Sequence, residues 1–399
     1  MSDTTAHSLT GPRGTHKQPV WLHGLYAALW LYLFISAINV MGGALKTLGR
    51  SSTWLQEQLD AGGPIGALMG GVIVTALVQS SSFTTSLIII AVAAGQINLE
   101  AAVFAIMGAN VGTSITNNLV SIGTMRIRRQ FRRGYTAALM HGNVNLLTVG
   151  ILLPLEWISG AMSPTGHGVL MRFSITIADW MGLDPIVRPT NPVKVITMPV
   201  VDGFNWFGDL VTNSDQAHGI LVAALGLLLL FVSLLFMVTS LKGALLQRIE
   251  GLFSSFLFRN DFMSGVVGVV STIFVQSSSV TTSLMVPLTS AGAVTLRRAF
   301  PFMLGCNLGT TVTGVIAASA NPVDAAISVA VCHVTFNVLA VLVWYPLRVV
   351  PMGIATWYGS LAARKRRYYW LFLGIVYFAI PGIAFLVHWI ITRIMLGSP

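Results

Sequence analysis

Several long, predominantly apolar stretches decide what this chain can fold into. Leu22–Leu45, Tyr135–Ile158, His218–Leu241 and Trp370–Ile394 each exceed the roughly 20 residues that a helix needs to span bilayer hydrocarbon. Composition agrees. The 399 residues are 54% hydrophobic and 9% charged, with a mean hydropathy of +0.76, whereas a soluble chain carries about 25% charged residues. The alternating polarity of an outer-membrane barrel is absent. The class is an all-α polytopic membrane protein.

The net charge of +10 does not point to nucleic acid, because the basic residues fall in short clusters between apolar segments: Arg126–Arg133, Arg297–Arg298 and Arg364–Arg367. Such clusters are orientation signals that face cytoplasm and anionic lipid. Residues 1–20 are polar, and the apolar run from Trp21 is too long for a signal-peptide core, so it is expected to stay as a transmembrane helix. Cys306 and Cys332 lie in apolar surroundings and there is no Asn-x-Ser/Thr sequon, so a disulfide framework is not expected. The expected address is a prokaryotic inner membrane, multi-pass, with the N-terminus cytoplasmic.

The chain is also written twice. Residues 79–116 and 276–313 align without gaps at an offset of 197 and are identical at 17 of 38 positions. Both open on Gln-Ser-Ser-Ser-x-Thr-Thr-Ser and close on Gly-x-Asn-x-Gly-Thr. His141-x-x-x-Asn145 then matches His333-x-x-x-Asn337 at an offset of 192, since the first copy carries an extra basic loop. The retained residues are polar, and lipid cannot satisfy such groups; they must be buried in protein or line a wet cavity. Gly62–Gly95 and Gly265–Gly292 are therefore predicted to be re-entrant hairpins with tips at Gln79–Ser82 and its equivalent. Each hairpin is expected to lead into a helix broken at 108–113 or 305–310.

Charge predicts how the halves face. Met125–Gly134 holds five arginines and no acid, while Ala320–Asp324 has no Arg or Lys; Arg297 and Arg298 stand where the first copy has Glu100 and Ala101. Opposite bias at equivalent points is the mark of an inverted-topology repeat. The expected organisation is a polar tail (1–20), a first transmembrane half (21–158), an extracytoplasmic connector (159–217), a second half (218–346) and a C-terminal interfacial and transmembrane segment (347–399).

The motif side chains are neutral and most offer hard oxygen as well as donors. With helix termini and free carbonyls they suit Na⁺ together with an oxyanion. No Lys or Arg lies in either motif core, so an anion would lean on helix ends and on the cation itself, which would couple the two. Ser, Thr and Gly are also common in plain helix packing. Two matched copies favour function for Gln79, Gln276, Asn110 and Asn307, while individual Ser and Thr stay evenly balanced. His141 and His333 have no metal-ligand spacing to other His or Cys and read as packing or hydrogen-bonding residues.

At Gln-Ser-Ser-Ser-x-Thr-Thr-Ser, Gly-x-Asn-x-Gly-Thr and His-x-x-x-Asn, twice each, the chain resembles type II sodium-dependent phosphate cotransporters over about residues 60–345, Pro189–Thr197 included. The resemblance implies phosphate sites at Gln79, Ser80, Ser81, Ser82, Asn110, Thr113, Ser278, Ser279 and Asn307. It implies sodium sites at Gln276, Ser277, Thr310, Thr313, Thr84 and Thr116. It also implies electroneutral import of two Na⁺ with divalent phosphate, because Gly142 follows the first motif histidine where electrogenic members carry an acid. Unlike animal members, the connector has no cysteine or sequon.

Sodium as coupling ion, inorganic phosphate and membrane lipid are the expected partners, no cofactor is expected, and a homo-oligomer is compatible with the sequence. The rivals are another oxyanion or phosphate export on the same fold, a channel, and an intramembrane hydrolase. The hydrolase lacks a Gly-x-Ser-x-Gly motif and any His near the motif serines in sequence.

Overall fold

The computed structural model describes residues 20–51, 54–181, 192–256, 260–320, 322–384, 386–387 and 390. The polar tail before Val20, residues 182–191 of the connector (with Pro189–Asn191 of the family-like stretch) and the chain after Ile390 lie outside them. All regular structure among the described residues is helical.

The first half contains α1 (Val20–Ser51), α2 (Trp54–Val78), α3 (Ser81–Ala93), α4 (Leu99–Ser121) and α5 (Arg128–Ala161). The connector holds α6 (Val169–Trp180) and α7 (Pro192–Val211). The second half contains α8 (Asp215–Phe256), α9 (Asp261–Val275), α10 (Ser278–Ser283), α11 (Met285–Ala291), α12 (Leu296–Ala320) and α13 (Asp324–Trp344). Then follow α14 (Val349–Arg364) and α15 (Arg367–Gly374), continued by a π-helical turn over Ile375–Ala379.

Seven described segments are long and apolar enough to cross a membrane: Gly24–Leu48, Leu99–Thr124, Arg128–Ala161, Asp215–Met237, Leu296–Ala320, Asp324–Trp344 and Arg367–Ala384. Three of the four stretches expected to span fall on α1, α5 and α8, and the fourth begins in α15.

The limbs around the Gln-Ser-Ser-Ser motifs are shorter. α2 is broken at Gly63 (φ 55°), and Pro64 opens the limb that runs to Val78. At 1.5 Å per residue the 17 residues of Gly62–Val78 reach about 26 Å, and the 15 of α9 about 22 Å, less than a bilayer core.

α2 lies parallel to α4, with Leu68 against Gly108 and Thr75 against Gly112. Because only Ala94–Asn98 joins α3 to α4, α3 must run back towards the start of α2. The two are the arms of a hairpin. α9 is parallel to α12 in the same way, with Gly265 against Gly305 and Thr272 against Gly309, so α10 and α11 form its returning arm.

The expected breaks at 108–113 and 305–310 are not there. α4 and α12 run through them as continuous helices, and this corrects the reading of those glycines. A Cβ at Gly108 would overlap the Leu68 carbonyl oxygen, and one at Gly305 the Gly265 carbonyl oxygen. The glycines let backbones touch, the usual role of small residues between membrane helices. The polar neighbours are satisfied on their own helix: Asn110 Nδ2 donates to the Ile106 carbonyl at 2.9 Å and Thr113 Oγ1 to the Ala109 carbonyl at 2.8 Å.

α4 and α12 are the innermost spans, with 83% and 78% of their apolar windows buried against 33% for α8. α1 packs along α8, where Trp30 stacks on Phe236 at 4.8 Å. α7 lies on α1 through Asn39 Nδ2 to Thr197 Oγ1, 2.9 Å. Glu156 near the end of α5 is a buried cap for α6, its carboxylate accepting from the Leu170 and Met171 amides at 2.6 and 3.1 Å. α14 packs on α5, and Tyr377 of the π turn reaches α4, where its hydroxyl meets Ser114 Oγ at 2.8 Å.

Candidate functional site

Each hairpin turns on a glutamine in left-handed conformation, φ 56° at Gln79 and 54° at Gln276. A non-glycine residue pays roughly 1–2 kcal/mol for that backbone, and here it does so at both equivalent points. The Gln amide closes the incoming helix, to Thr75 O and Thr272 O, both at 2.7 Å. The next serine caps the outgoing helix: Ser80 Oγ accepts from Phe83 N at 3.3 Å and Ser277 Oγ from Val280 N at 3.4 Å. The repeated motif is thus a helix stop followed at once by a helix start.

At the second tip the side chains of both repeats meet. Ser82 Oγ donates to the Gln276 carbonyl at 3.1 Å and lies 3.2 Å from Thr310 Oγ1. Thr313 Oγ1 donates to Gln276 Oε1 at 2.9 Å and sits 3.5 Å from Ser82 Oγ. Gln276 Nε2 is tied to the Ile273 carbonyl, which turns Oε1 towards the hydroxyls. Five oxygens therefore converge with no fixed charge among them: Ser82 Oγ, Gln276 O and Oε1, Thr310 Oγ1 and Thr313 Oγ1. A hard monovalent cation suits such a set, since it needs oxygen and little compensating charge. Among the described residues no group of three or more His, Cys, Asp or Glu could hold a metal ion.

A chain of amides joins the halves beside this cluster. Thr282 Oγ1 donates to Asn117 Oδ1 at 3.0 Å, so Asn117 turns its Nδ2 to His141 Nδ1, 3.1 Å away. That fixes the tautomer: His141 carries its proton on Nε2 and donates to Asn307 Oδ1 at 2.6 Å. Asn307 Nδ2 then donates to Asn145 Oδ1 at 2.9 Å, and Asn145 Nδ2 to the Asn110 carbonyl at 2.7 Å. Every donor in the sequence finds an acceptor. His141 is thus a hydrogen-bonding residue, as its sequence surroundings suggested.

The other expected site residues are distributed differently. Gln79 is exposed, whereas its counterpart Gln276 is buried. Thr84 Oγ1 bonds back to the Ser80 carbonyl at 3.1 Å, within its own helix start. Ser81 is buried in the first turn of α3. Thr116 Oγ1, Ser278 Oγ and Ser279 Oγ are buried without a protein partner, which leaves their hydroxyls available to a ligand. Asn110 and Asn307 share the amide chain through Asn145. Sequence reading passed over Asn117 and counted Thr282 among the motif hydroxyls without giving it a place in either site. Comparing the copies hides Asn117 because its counterpart is Gly314, and the role of Thr282 shows only across the two halves.

The sequence profile of the Na⁺/Pi-cotransporter family matches residues 33–161 and 228–383, which is most of the chain and both halves of the site. Sodium-dependent phosphate transport protein 2A of Ovis aries is 28% identical over 92% of this chain and 68% of its own length. The 2B proteins of Homo sapiens and Mus musculus are 28% and 30% identical, over 92% and 88% of this chain and 65% and 62% of theirs. The chain thus spans about two thirds of the length of these relatives. No solved structure matches it. With one polar hairpin in each matched segment and a carboxylate-free oxygen cluster between them, the chain belongs to the Na⁺/Pi-cotransporter family.

Proposed function

We propose that the protein is an electroneutral importer of inorganic phosphate driven by Na⁺, working from the inner membrane with its N-terminus cytoplasmic. The observation that carries this reading is the five-oxygen cluster of Ser82, Gln276, Thr310 and Thr313. Sodium binds there, and Ser277 shapes the site by capping the helix that follows. Phosphate binds beside it, at the exposed tip by Gln79 and the amino end of α3, where Ser80 and Ser81 stand. The unpartnered hydroxyls of Ser278 and Ser279 complete that site.

With no lysine or arginine in the motif cores, the anion depends on the bound cation for charge balance, and this dependence couples the two fluxes. The two halves act as inverted repeats whose hairpins enter the membrane from opposite sides and meet at Ser82 and Gln276. Lipid surrounds the outer spans.

The reading is tested in proteoliposomes loaded at low Na⁺. Labelled phosphate should accumulate when Na⁺ is high outside. Uptake that is unchanged when K⁺ replaces Na⁺ would refute it, and sulfate competing as well as phosphate would reassign the anion.

A further inference from the structure

The two halves are bonded unequally at their centre. His141, Asn145 and Asn307 make three contacts: His141 Nε2 to Asn307 Oδ1 at 2.6 Å, Asn307 Nδ2 to Asn145 Oδ1 at 2.9 Å, and Asn145 Nδ2 to Asn110 O at 2.7 Å. The offsets of 197 and 192 exchange Asn110 with Asn307, His141 with His333, and Asn145 with Asn337. The counterpart contacts would be His333 to Asn110, Asn110 Nδ2 to Asn337 Oδ1, and Asn337 Nδ2 to the Asn307 carbonyl.

None of the three is made, and Asn337 Nδ2 donates instead within its own helix, to the His333 carbonyl at 3.0 Å. Both ring nitrogens of His333 and Asn337 Oδ1 are buried without a partner, although such groups rarely stay unpaired. Asn110 Nδ2 is turned to its own helix, at Ile106 O. Yet the parts are adjacent, since Asn337 Nδ2 already lies 3.4 Å from Asn110 Oδ1. The unsatisfied atoms match, one for one, atoms that are satisfied in the other half.

We propose that His333 and Asn337 are positioning residues for the opposite conformation of the transport cycle, in which His333 engages Asn110 as His141 engages Asn307 here. This rests on the reading of the protein as a transporter with inverted halves. The contacts serve as alternative latches, one made as the other is released.

The latches are unequal. His141 is held from behind by Asn117, whereas the counterpart of Asn117 is Gly314, where a Cβ would stand 3.5 Å from His333 Nδ1. No side chain there fixes the His333 ring. The second latch is therefore the weaker one, and the conformation with Gln79 exposed and Gln276 buried is preferred at rest.

The test uses the full chain with Cys306 and Cys332 replaced by alanine, and a single reporter at Gln276→Cys or Gln79→Cys. Alkylation by N-ethylmaleimide is timed in K⁺ medium without Na⁺ or phosphate. His333→Ala removes only contacts of the opposite conformation, so the Gln276→Cys reporter should react roughly three- to tenfold more slowly. His141→Ala should make it react faster by a similar factor and slow the Gln79→Cys reporter. His333→Gln and His141→Gln, which keep a side-chain donor, should restore the parent rates.

If the two alanine variants shift the Gln276→Cys rate in the same direction, or His333→Ala leaves it unchanged, the proposal falls. A general loosening of the fold would raise both reporters together. Phosphate uptake is not measured, so failed Na⁺-driven uptake with opposite shifts intact would overturn only the functional reading.

Discussion

Ser82 of the first hairpin donates its hydroxyl to the main-chain carbonyl of Gln276 at the tip of the second, 3.1 Å away and 194 residues later in the chain. This bond puts a first-repeat side chain inside a group of oxygens otherwise supplied by the second repeat. Ser82 stands with phosphate in the family-based assignment, and its contacts place it among Gln276, Thr310 and Thr313.

Ser82→Ala and Thr313→Val should therefore each raise the Na⁺ concentration for half-maximal phosphate uptake. Loss of one net hydrogen-bond equivalent corresponds to about three- to tenfold. At saturating Na⁺ the phosphate concentration for half-maximal uptake should change less than twofold in Ser82→Ala. The two titrations, run on the same proteoliposomes, check this; a variant that alters only the phosphate titration would return Ser82 to the anion site.

A second prediction concerns the glycines of α4 and α12. Adding one methyl at Gly108 or Gly305 forces backbone against backbone, because each Cβ would meet a carbonyl oxygen of the hairpin limb beside it. Overpacking of this kind costs about 1–3 kcal/mol. Gly108→Ala and Gly305→Ala should lower the melting temperature in detergent by several degrees. Gly150→Ala, with nothing near its added carbon, should match the parent. If Gly108→Ala melted like Gly150→Ala, the close approach of α2 and α4 would be wrong.

What was readable in the sequence, and what was not, follows from the range of the interactions. The spans at α1, α5 and α8 were plain because a run of apolar residues is its own signal. The tips were plain because two copies of Gln-Ser-Ser-Ser have no use in lipid. Gly-x-Asn-x-Gly-Thr was misread as a break, since glycine serves both unwinding and close packing. The deciding neighbours, Leu68 and Gly265, lie 40 residues away from Gly108 and Gly305 in sequence. The bond between Ser82 and Gln276, the direction of the amide chain through His141, and the docking of Tyr377 on Ser114 join distant segments and leave no local pattern.

Topology supplies a third prediction. The arginine-rich start of α5 and the end of α12 occupy opposite poles of the proposed inverted repeat. A cysteine at Arg129 should be shielded from an impermeant thiol reagent added outside cells, and one at Ser319, which is exposed, should react. Labelling of both from one side would rule out the inversion.

The last prediction is that transport carries no net charge. A further cation held in a low-dielectric site needs a compensating charge, and the first motif histidine is followed by Gly142 rather than an acid. The groups that a side chain at 142 would meet are Ser114, 3.3 Å from the added carbon, and the Tyr377 hydroxyl at 3.7 Å, both neutral. Two Na⁺ and one divalent phosphate would then cross with their charges cancelled. The membrane potential, worth about 2.3 kcal/mol per charge per 100 mV, would add nothing to accumulation.

An inside-negative K⁺ diffusion potential, imposed on proteoliposomes at fixed Na⁺ and phosphate gradients, should leave the steady-state phosphate ratio unchanged. A several-fold rise, or a current evoked by phosphate on a supported membrane, would disprove electroneutrality. Gly142→Asp tests the cause directly. Its carboxylate would be set beside the hydroxyls of Ser114 and Tyr377, a neighbourhood able to share a sodium ion. A phosphate-evoked current that appears only in this variant is the expected outcome, and its magnitude at a given potential reports how often the added charge completes the cycle.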